Sequence, residues 1–203
     1  MNKGLNICWP TFIQVGNVDN ATLINDLADK IISTYDLNVG PNDLGWVDMI
    51  YDSDKTITKF REEVVIPNFE EYLNKVYETS LENYPNYRLR SWIASYKDGL
   101  GMVSHSHSGS QIGSVYYLMA ENNAQGGEIV FTDPRGNSHR GYDDHFQKFF
   151  NTEIHMPSTG DYLIFPSYTF HHVQGYTSRL RIAMPIDLYL GDNIVLDKTV
   201  RDS

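Results

Sequence analysis

The carboxy-terminal half of the chain is a series of short segments with β-strand character, and this series restricts the fold more than any other feature. The segments are rich in β-branched and aromatic residues and are bounded by glycine, proline and other turn-forming residues. They are residues 87–97, 112–119, 128–132, 152–156, 161–165, 172–175 and 180–188. A series of this kind behind helical cover predicts a mainly β fold, with an antiparallel sandwich or barrel buttressed by helices.

The first third of the chain is predicted to be largely helical. Apolar residues recur at helical spacing over residues 23–35, and Asp19 or Asn20 can cap that helix. The same spacing runs through residues 55–84 and is interrupted at Pro67. We therefore expect a first helix followed by either two helices or one kinked helix.

The chain of 203 residues is predicted to form a single domain, because neither a repeat nor a Pro/Ser-rich linker divides it. Residues 5–15 predict an edge strand. The domain would cover residues 1–203, with helical support over about 20–84 and a barrel core over about 87–190.

Charge and composition argue against several classes of partner. The net charge is −10 and the basic residues are scattered, so a polyanion such as nucleic acid would be repelled. A lone Cys8 permits neither an intrachain disulfide nor a cysteine-based zinc site. The lone cysteine is compatible with a reducing compartment, so we expect a cytoplasmic location. The sequence also lacks an apolar run of about 20 residues and therefore predicts no membrane span.

Two groups of histidines are the candidate metal ligands. His105 and His107 lie two residues apart just ahead of a β-type segment, and on an extended strand their rings would point to the same side. His171 and His172 follow the apolar sequence F-P-S-Y-T-F, so one of them should face inwards. We expect the two groups to meet as one metal site, although polar loop histidines or buried histidines bonded to the backbone would give the same patterns.

Arginines and tyrosines of the barrel are candidates for binding an anion. Arg179 and Arg181 have the same parity on a predicted strand, and a guanidinium inside the barrel would need an anion such as a dicarboxylic acid. Either arginine could instead reach solvent or pair with an acidic residue. Tyr96 and Tyr117 fit ordinary strand positions, but a hydroxyl that faces a pocket would donate to a carboxylate.

The ordered motifs of this half resemble those of the Fe(II)- and 2-oxoglutarate-dependent oxygenases. The motifs are Y-K-D-G-L-G-M-V-S-H-S-H, S-V-Y-Y-L, G-G-E-I-V-F-T-D-P-R, G-D-Y-L-I-F-P-S-Y-T-F-H-H-V and R-L-R-I-A-M-P-I-D. They are most similar to a 2-oxoglutarate oxygenase family of marine bacteria and cyanophages that is related to prolyl hydroxylases. The resemblance covers about residues 90–189 and implies a double-stranded β-helix, also called a jelly-roll or cupin-like barrel. A phage-encoded chain would work in the host cytoplasm.

The resemblance assigns the metal ligands residue by residue. It implies that His105, His107 and His171 are the catalytic residues that bind Fe(II). Most of the superfamily has H-x-D or H-x-E where this chain has H-x-H, so one negative charge on the metal is missing. Two possibilities follow: a working three-histidine site, or a site in which a water or halide replaces His107.

The resemblance also assigns the cosubstrate pocket. The arginine that binds the far carboxylate of 2-oxoglutarate falls on Arg181, or on Arg179 if the preceding loop is shorter. Tyr117 and Tyr96 match tyrosines that line this pocket in prolyl-hydroxylase-like relatives.

The activity that the resemblance implies uses 2-oxoglutarate and dioxygen as partners, forms succinate and hydroxylates a C–H bond of a primary substrate. That substrate could be a protein, a peptide or a small molecule, and peptidyl proline is favoured. Residues 136–150 could form a mobile cover over it. The alternatives are a three-histidine dioxygenase or other cupin-like metal enzyme that does not use 2-oxoglutarate, and a degenerate barrel that only binds.

Overall fold

The described part of the chain folds as a barrel of short strands preceded by helices. A computed structural model describes residues 10–37, 44–49, 52–121, 124–134 and 152–191, with the backbone alone for 44–48. The helices are α1 (Ala21–Thr34), α2 (Lys55–Phe60), a π-helical turn (Arg61–Val65), α3 (Ile66–Tyr77) and a 3₁₀ turn (Leu81–Asn83). The strands are β1 (Gln14–Asn17), β2 (Leu44–Asp48), β3 (Arg88–Tyr96), β4 (Leu100–His105), β5 (Ile112–Met119), β6 (Ile129–Thr132), β7 (Thr152–His155), β8 (Asp161–Pro166), β9 (His171–Tyr176) and β10 (Arg181–Tyr189).

These strands form two antiparallel sheets. The larger sheet has the order β1-β8-β5-β10-β3-β2, and the smaller sheet has the order β4-β9-β6-β7. Successive strands from β3 to β10 mostly alternate between the sheets, so the chain winds as a double-stranded β-helix with β1 and β2 added at the edges. The predicted jelly-roll class is confirmed.

The larger sheet separates two apolar clusters because its strands alternate sides. In β10, Ile182, Met184 and Ile186 pack into the cluster shared with the helices. Ala183 belongs to a second cluster between the sheets, which contains Phe165 and several tyrosines. The second cluster is the barrel interior, and its walls carry the polar groups described below.

The helices start and bend where local chemistry permits it. The side chain of Asn20 accepts a hydrogen bond from the Leu23 N–H and caps α1. Pro67 lies in the first turn of α3, where the missing N–H costs little, and the π-helical turn before it joins α2 to α3. The segment with the proline is therefore two helices joined without a loop.

Sequence patterns and structure differ in two elements. The edge strand β1 is Gln14–Asn17 and not the longer segment 5–15, of which residues 5–9 lie outside the described residues. Strand β4 was not predicted, because Leu100–His105 contains a glycine and is largely exposed.

The proposed cover at 136–150 lies outside the described residues. Among the residues that are described, none of the helices has the length and apolar character needed to cross a membrane.

Leu27 and Ile32 give a matched test of the helix-to-sheet core. Leu27 is fully buried and Ile32 is 43 % exposed on the same helix. Leu27→Ala should lower the free energy of unfolding by about 2–5 kcal/mol because it leaves a cavity, whereas Ile32→Ala should change it by less than about 1 kcal/mol. Urea unfolding measures both values. Equal effects of the two substitutions would contradict the packing described here.

Candidate metal and cosubstrate site

Two of the three candidate imidazoles are brought together by strand pairing in the smaller sheet. His105 is the last residue of β4 and His171 is the first residue of β9. The two residues lie directly opposite each other in the antiparallel register. Their ring centroids are 4.4 Å apart. The sheet thus places two residues 66 positions apart in sequence at one end of the barrel.

His107 reaches the same point from a loop. Strand β4 ends at His105, so the expectation that both histidines lie on one strand is wrong for His107. The His107 N–H donates to the Ser167 carbonyl at 2.9 Å, which ties this loop to the turn after β8. The His107 ring lies 5.5 Å from the His105 ring and 5.0 Å from the His171 ring, centroid to centroid. One ring nitrogen from each histidine lies within 4.8 Å of the other two.

Each of these rings has a hydrogen-bond acceptor at Nδ1. For His105 it is the Val103 carbonyl at 2.9 Å, and for His171 it is the Thr169 carbonyl at 3.0 Å. For His107 it is a carboxylate oxygen, Asp187 Oδ1, at 2.5 Å. Since these oxygens accept, Nδ1 of each ring carries the proton and Nε2 keeps a free lone pair. Three imidazoles whose Nε2 atoms are free of these hydrogen bonds are suited to bind a divalent metal ion.

Burial keeps the His105 and His171 rings neutral. Desolvation, together with the neighbouring rings of His107 and His105, lowers the pKa of His171 to about 3. Desolvation also lowers the pKa of His105. Phe131 and Phe165 contact the His171 ring at centroid distances of 5.5 and 4.8 Å and keep water from its inner side. His105 and His171 would therefore bind a cation at neutral pH without first losing a proton.

Arg181 carries a buried charge on the barrel interior. It is 1 % exposed, its Nη1 donates to the Gly127 carbonyl, and its Nε and Nη2 have no acceptor among the described residues. A buried guanidinium with unmet donors is unfavourable without an anion. These two nitrogens form one end of a site suited to a carboxylate.

Three tyrosine rings enclose this guanidinium. The Arg181 Cζ atom lies 4.3 Å from the Tyr96 ring centroid, 5.2 Å from that of Tyr176 and 5.5 Å from that of Tyr117. Burial raises the pKa of Tyr96 and of Tyr117, while Arg181 opposes the shift in both. Their hydroxyl groups therefore stay protonated and can donate to a carboxylate.

Gly127 makes the close approach to Arg181 possible. Its φ is +87°, and a Cβ there would lie 2.7 Å from Arg181 Nη1 and 2.6 Å from the Tyr176 ring. A larger residue would displace the guanidinium. The G-G pair before β6 thus has a role beyond its turn.

Arg179, the alternative to Arg181, does not lie in the pocket. It precedes β10, its side chain is 94 % exposed, and its Nε is 4.0 Å from Glu121 Oε1. Three contributors had not been predicted: Tyr176, Gly127 and Asp187. The strand pattern held a signal for Asp187, because it has the same parity as Arg181 on β10.

The histidines and the arginine share one interior. Phe131 and Phe165, which contact His171, belong to the same apolar cluster as Tyr96, Tyr117 and Tyr176, which contact Arg181. A jelly-roll barrel with three converging imidazoles, and with a buried guanidinium whose Nε and Nη2 lack an acceptor among the described residues, fits a metal-dependent enzyme that binds an anionic cosubstrate.

Comparison with known families identifies that class. Residues 90–187 match the model of the family described as "Putative 2OG-Fe(II) oxygenase". The match runs from β3 to Asp187 in β10 and contains all three histidines and Arg181. Residues 90–187, close to half of the chain, are thus similar to the Fe(II)- and 2-oxoglutarate-dependent oxygenases. This match and the three converging histidines support a dioxygenase that uses Fe(II) and 2-oxoglutarate. Its link to marine bacteria and cyanophages stays a prediction.

Solved structures of prolyl hydroxylases share the fold. A prolyl-4-hydroxylase of Pseudomonas putida superposes with a TM-score of 0.62 at 15 % identity, covering 88 % of each chain. The collagen prolyl hydroxylase of Paramecium Bursaria Chlorella virus-1, in complex with 2OG, has a TM-score of 0.56 at 14 % identity, covering 87 % of this chain and 94 % of that one. A prolyl hydroxylase of Trichoplax adhaerens, in complex with a hypoxia inducible factor peptide fragment, has a TM-score of 0.57 at 14 % identity. The match covers 88 % of this chain and 83 % of that one. No curated protein matches the sequence.

The lowered pKa of His171 predicts that the metal-free protein loses stability in mild acid. The unfolded chain binds a proton at about pH 6.5 and the folded chain only near pH 3, so the unfolded state holds more protons between these values. The free energy of unfolding should fall by about 2 kcal/mol between pH 7 and pH 5 through this residue alone.

Urea unfolding of the metal-free protein at pH 7 and pH 5 measures the effect, with His171→Gln as the control. The variant should lose about 2 kcal/mol less on acidification than the original chain does. An equal decrease in both proteins would show that His171 is not held neutral by burial.

Proposed function

We propose that His105, His107 and His171 hold Fe(II), and that Arg181 binds the far carboxylate of 2-oxoglutarate. The observation that carries this proposal is the buried guanidinium. Two of its donor nitrogens have no acceptor among the described residues, and it faces the interior whose other end holds the three imidazoles. A dicarboxylic acid inside that space satisfies these donors and leaves its other end for the metal.

The protein's part is to fix its ligands in one orientation. The acceptors at Nδ1 hold each ring so that Nε2 faces the common point, and they exclude the other tautomer. Iron bound at these nitrogens would supply the activation of dioxygen and the oxidative decarboxylation of 2-oxoglutarate on which hydroxylation depends.

The interior residues select and orient the cosubstrate. The protonated hydroxyls of Tyr96 and Tyr117 are donors beside Arg181, which favours a carboxylate over a neutral group. Phe131 and Phe165 lie along the same wall and keep bulk water away from the space between the charge and the imidazoles. Arg181 has no comparable use in a three-histidine enzyme that works without 2-oxoglutarate.

For the primary substrate we propose a peptidyl proline. Support comes from the solved structures of similar fold, which include prolyl hydroxylases and one complex with a peptide fragment. Beside the histidines the surface is apolar: Val103 is 81 % exposed two residues before His105, and Phe170 is 50 % exposed next to His171. An apolar surface at the mouth suits the uncharged ring of proline.

Substitution of Arg181 tests the cosubstrate assignment. Arg181→Gln should weaken 2-oxoglutarate binding to the Fe(II)-loaded protein about 100-fold, because the carboxylate loses its charged partner. Calorimetry under anaerobic conditions measures the dissociation constant, and succinate release in air measures turnover. His105→Ala should abolish both by removing the metal.

Arg179→Gln is the matched control, because that side chain is 94 % exposed and lies two residues away. It should bind 2-oxoglutarate as the original chain does. Equal binding by the Arg181→Gln variant would refute the assignment. Metal binding without any 2-oxoglutarate binding would favour the three-histidine dioxygenase instead.

A peptide assay tests the substrate. Proline-containing peptides should raise the rate of succinate release several-fold and gain one oxygen atom, detected as about +16 Da by mass spectrometry. The same peptides with alanine in place of proline should do neither. Stimulation only by small molecules without a peptide bond would exclude the prolyl substrate and leave the oxygenase chemistry intact.

A further inference from the structure

We propose that Asp187 is a positioning residue that acts on the metal through His107. It replaces, one residue further out, the carboxylate that H-x-D and H-x-E sites place directly on the metal. This inference rests on the proposed function of the three histidines.

The contact between Asp187 and His107 is short and buried. Asp187 Oδ1 lies 2.5 Å from His107 Nδ1, and the two side chains are 6 % and 4 % exposed. The other two imidazoles of the site bond to neutral backbone carbonyls at Nδ1, so His107 alone of the three has a carboxylate partner in the described structure. His107 is also the residue at which this chain departs from H-x-D.

Gly113, which has no side chain, leaves space for the His107–Asp187 pair. Asp187 faces Gly113 across the β10–β5 pairing. A Cβ at Gly113 would lie 3.1 Å from His107 Nδ1 and 3.0 Å from the Phe165 ring, both tighter than ordinary contacts. A side chain at that position would therefore press on the nitrogen that donates to Asp187. The glycine is a second, independent observation that supports a role for this hydrogen bond in the site.

Tyr189 and Arg90 lie close to the Asp187 carboxylate. Burial raises the pKa of Tyr189, Asp187 raises it further, and Arg90 opposes the shift, so the three polar groups face one another. Arg90 also lies opposite Asp187 in the β10–β3 pairing. Asp187 is thus fixed in place by its strand and by its neighbours, and His107 takes its orientation from it.

The hydrogen bond from His107 to Asp187 would change how strongly His107 binds a metal ion. A carboxylate that accepts the Nδ1–H of an imidazole fixes its tautomer, orients its ring and makes Nε2 a better donor to a metal. In a set of three histidine ligands, this hydrogen bond is a route by which negative charge of the protein can act on the ion. Loss of such a partner weakens metal affinity by about 10- to 100-fold in known sites.

Binding of Co(II) to the full chain tests the proposal without any turnover. Asp187→Asn keeps an acceptor for Nδ1–H and removes the charge, and should raise the Co(II) dissociation constant about tenfold. Asp187→Ala removes both and should raise it by up to about 100-fold. The Co(II) visible absorption spectrum should also shift in Asp187→Asn, since the ligand field of His107 changes while its position does not.

Asp161→Asn is the matched control. Asp161 also pairs with a histidine, with 3.3 Å between His155 Nε2 and its Oδ2, but neither residue belongs to the three-histidine group. This variant should bind Co(II) within twofold of the original chain and give an unchanged spectrum. Gly113→Ala should weaken Co(II) binding with no polar group removed.

The outcomes separate this inference from the proposed function. Thermal unfolding of each metal-free variant shows whether it is folded, and the isosteric Asp187→Asn variant decides the matter if Asp187→Ala is not. Affinity within twofold of the original and an unchanged spectrum in Asp187→Asn would overturn the role of Asp187 while leaving the metal site in place. If the original chain and its His105→Ala variant bind Co(II) equally, the three-histidine site itself is wrong and this inference fails with it.

Discussion

The pairing of β4 with β9 is the contact on which the site depends. It places His105 opposite His171 and so brings together two of the three candidate metal ligands. A slip of this register by one residue would turn one of the two imidazoles to the other face of the sheet. The remaining barrel strands hold this pair rigid, and the loop that carries His107 only has to complete it.

The second constraint is electrostatic. Arg181 sits in an interior of tyrosine and phenylalanine side chains, where an uncompensated charge lowers the stability of the folded protein. Such an arrangement persists when a ligand that supplies the opposite charge is part of the working protein. The tyrosine rings lower the free-energy cost of burying this charge, because they contact the guanidinium. Its Nε and Nη2 atoms have no acceptor among the described residues. An open, charged edge inside a closed barrel is a preorganised site for a carboxylate.

Much of the fold could be predicted from the sequence, because its helices and strands follow from short-range patterns. The β-branched and aromatic residues of β5 and β10 and the helical spacing in α1 each report the environment of a single element. The strand β4 escaped prediction because its exposed residues and its glycine give little alternation, and pairing with β9 is what makes it a strand. Arg181 and Arg179 could not be separated, since the start of β10 between them is decided by partners on β3 and β5.

The contacts that tune the site were the hardest to foresee. His107 and Asp187 are 80 residues apart, and Gly127 lies 54 residues before the arginine it touches. A pattern within one segment carries no information about such pairs, even though the parity of β10 put Asp187 on the same face as Arg181.

The long-range contact between His107 and Asp187 bears on the departure from H-x-D. If the carboxylate were simply lost, the metal would face three neutral ligands and a preference for harder oxygen donors would go unmet. In this fold a carboxylate is present after all, displaced outwards by the length of one imidazole and reached through a hydrogen bond. In the function proposed here, strand β10 serves the chemistry at both ends: its first residue, Arg181, would bind the cosubstrate, and Asp187 near its end would support a metal ligand. A single strand would then link the metal half and the cosubstrate half of the proposed site.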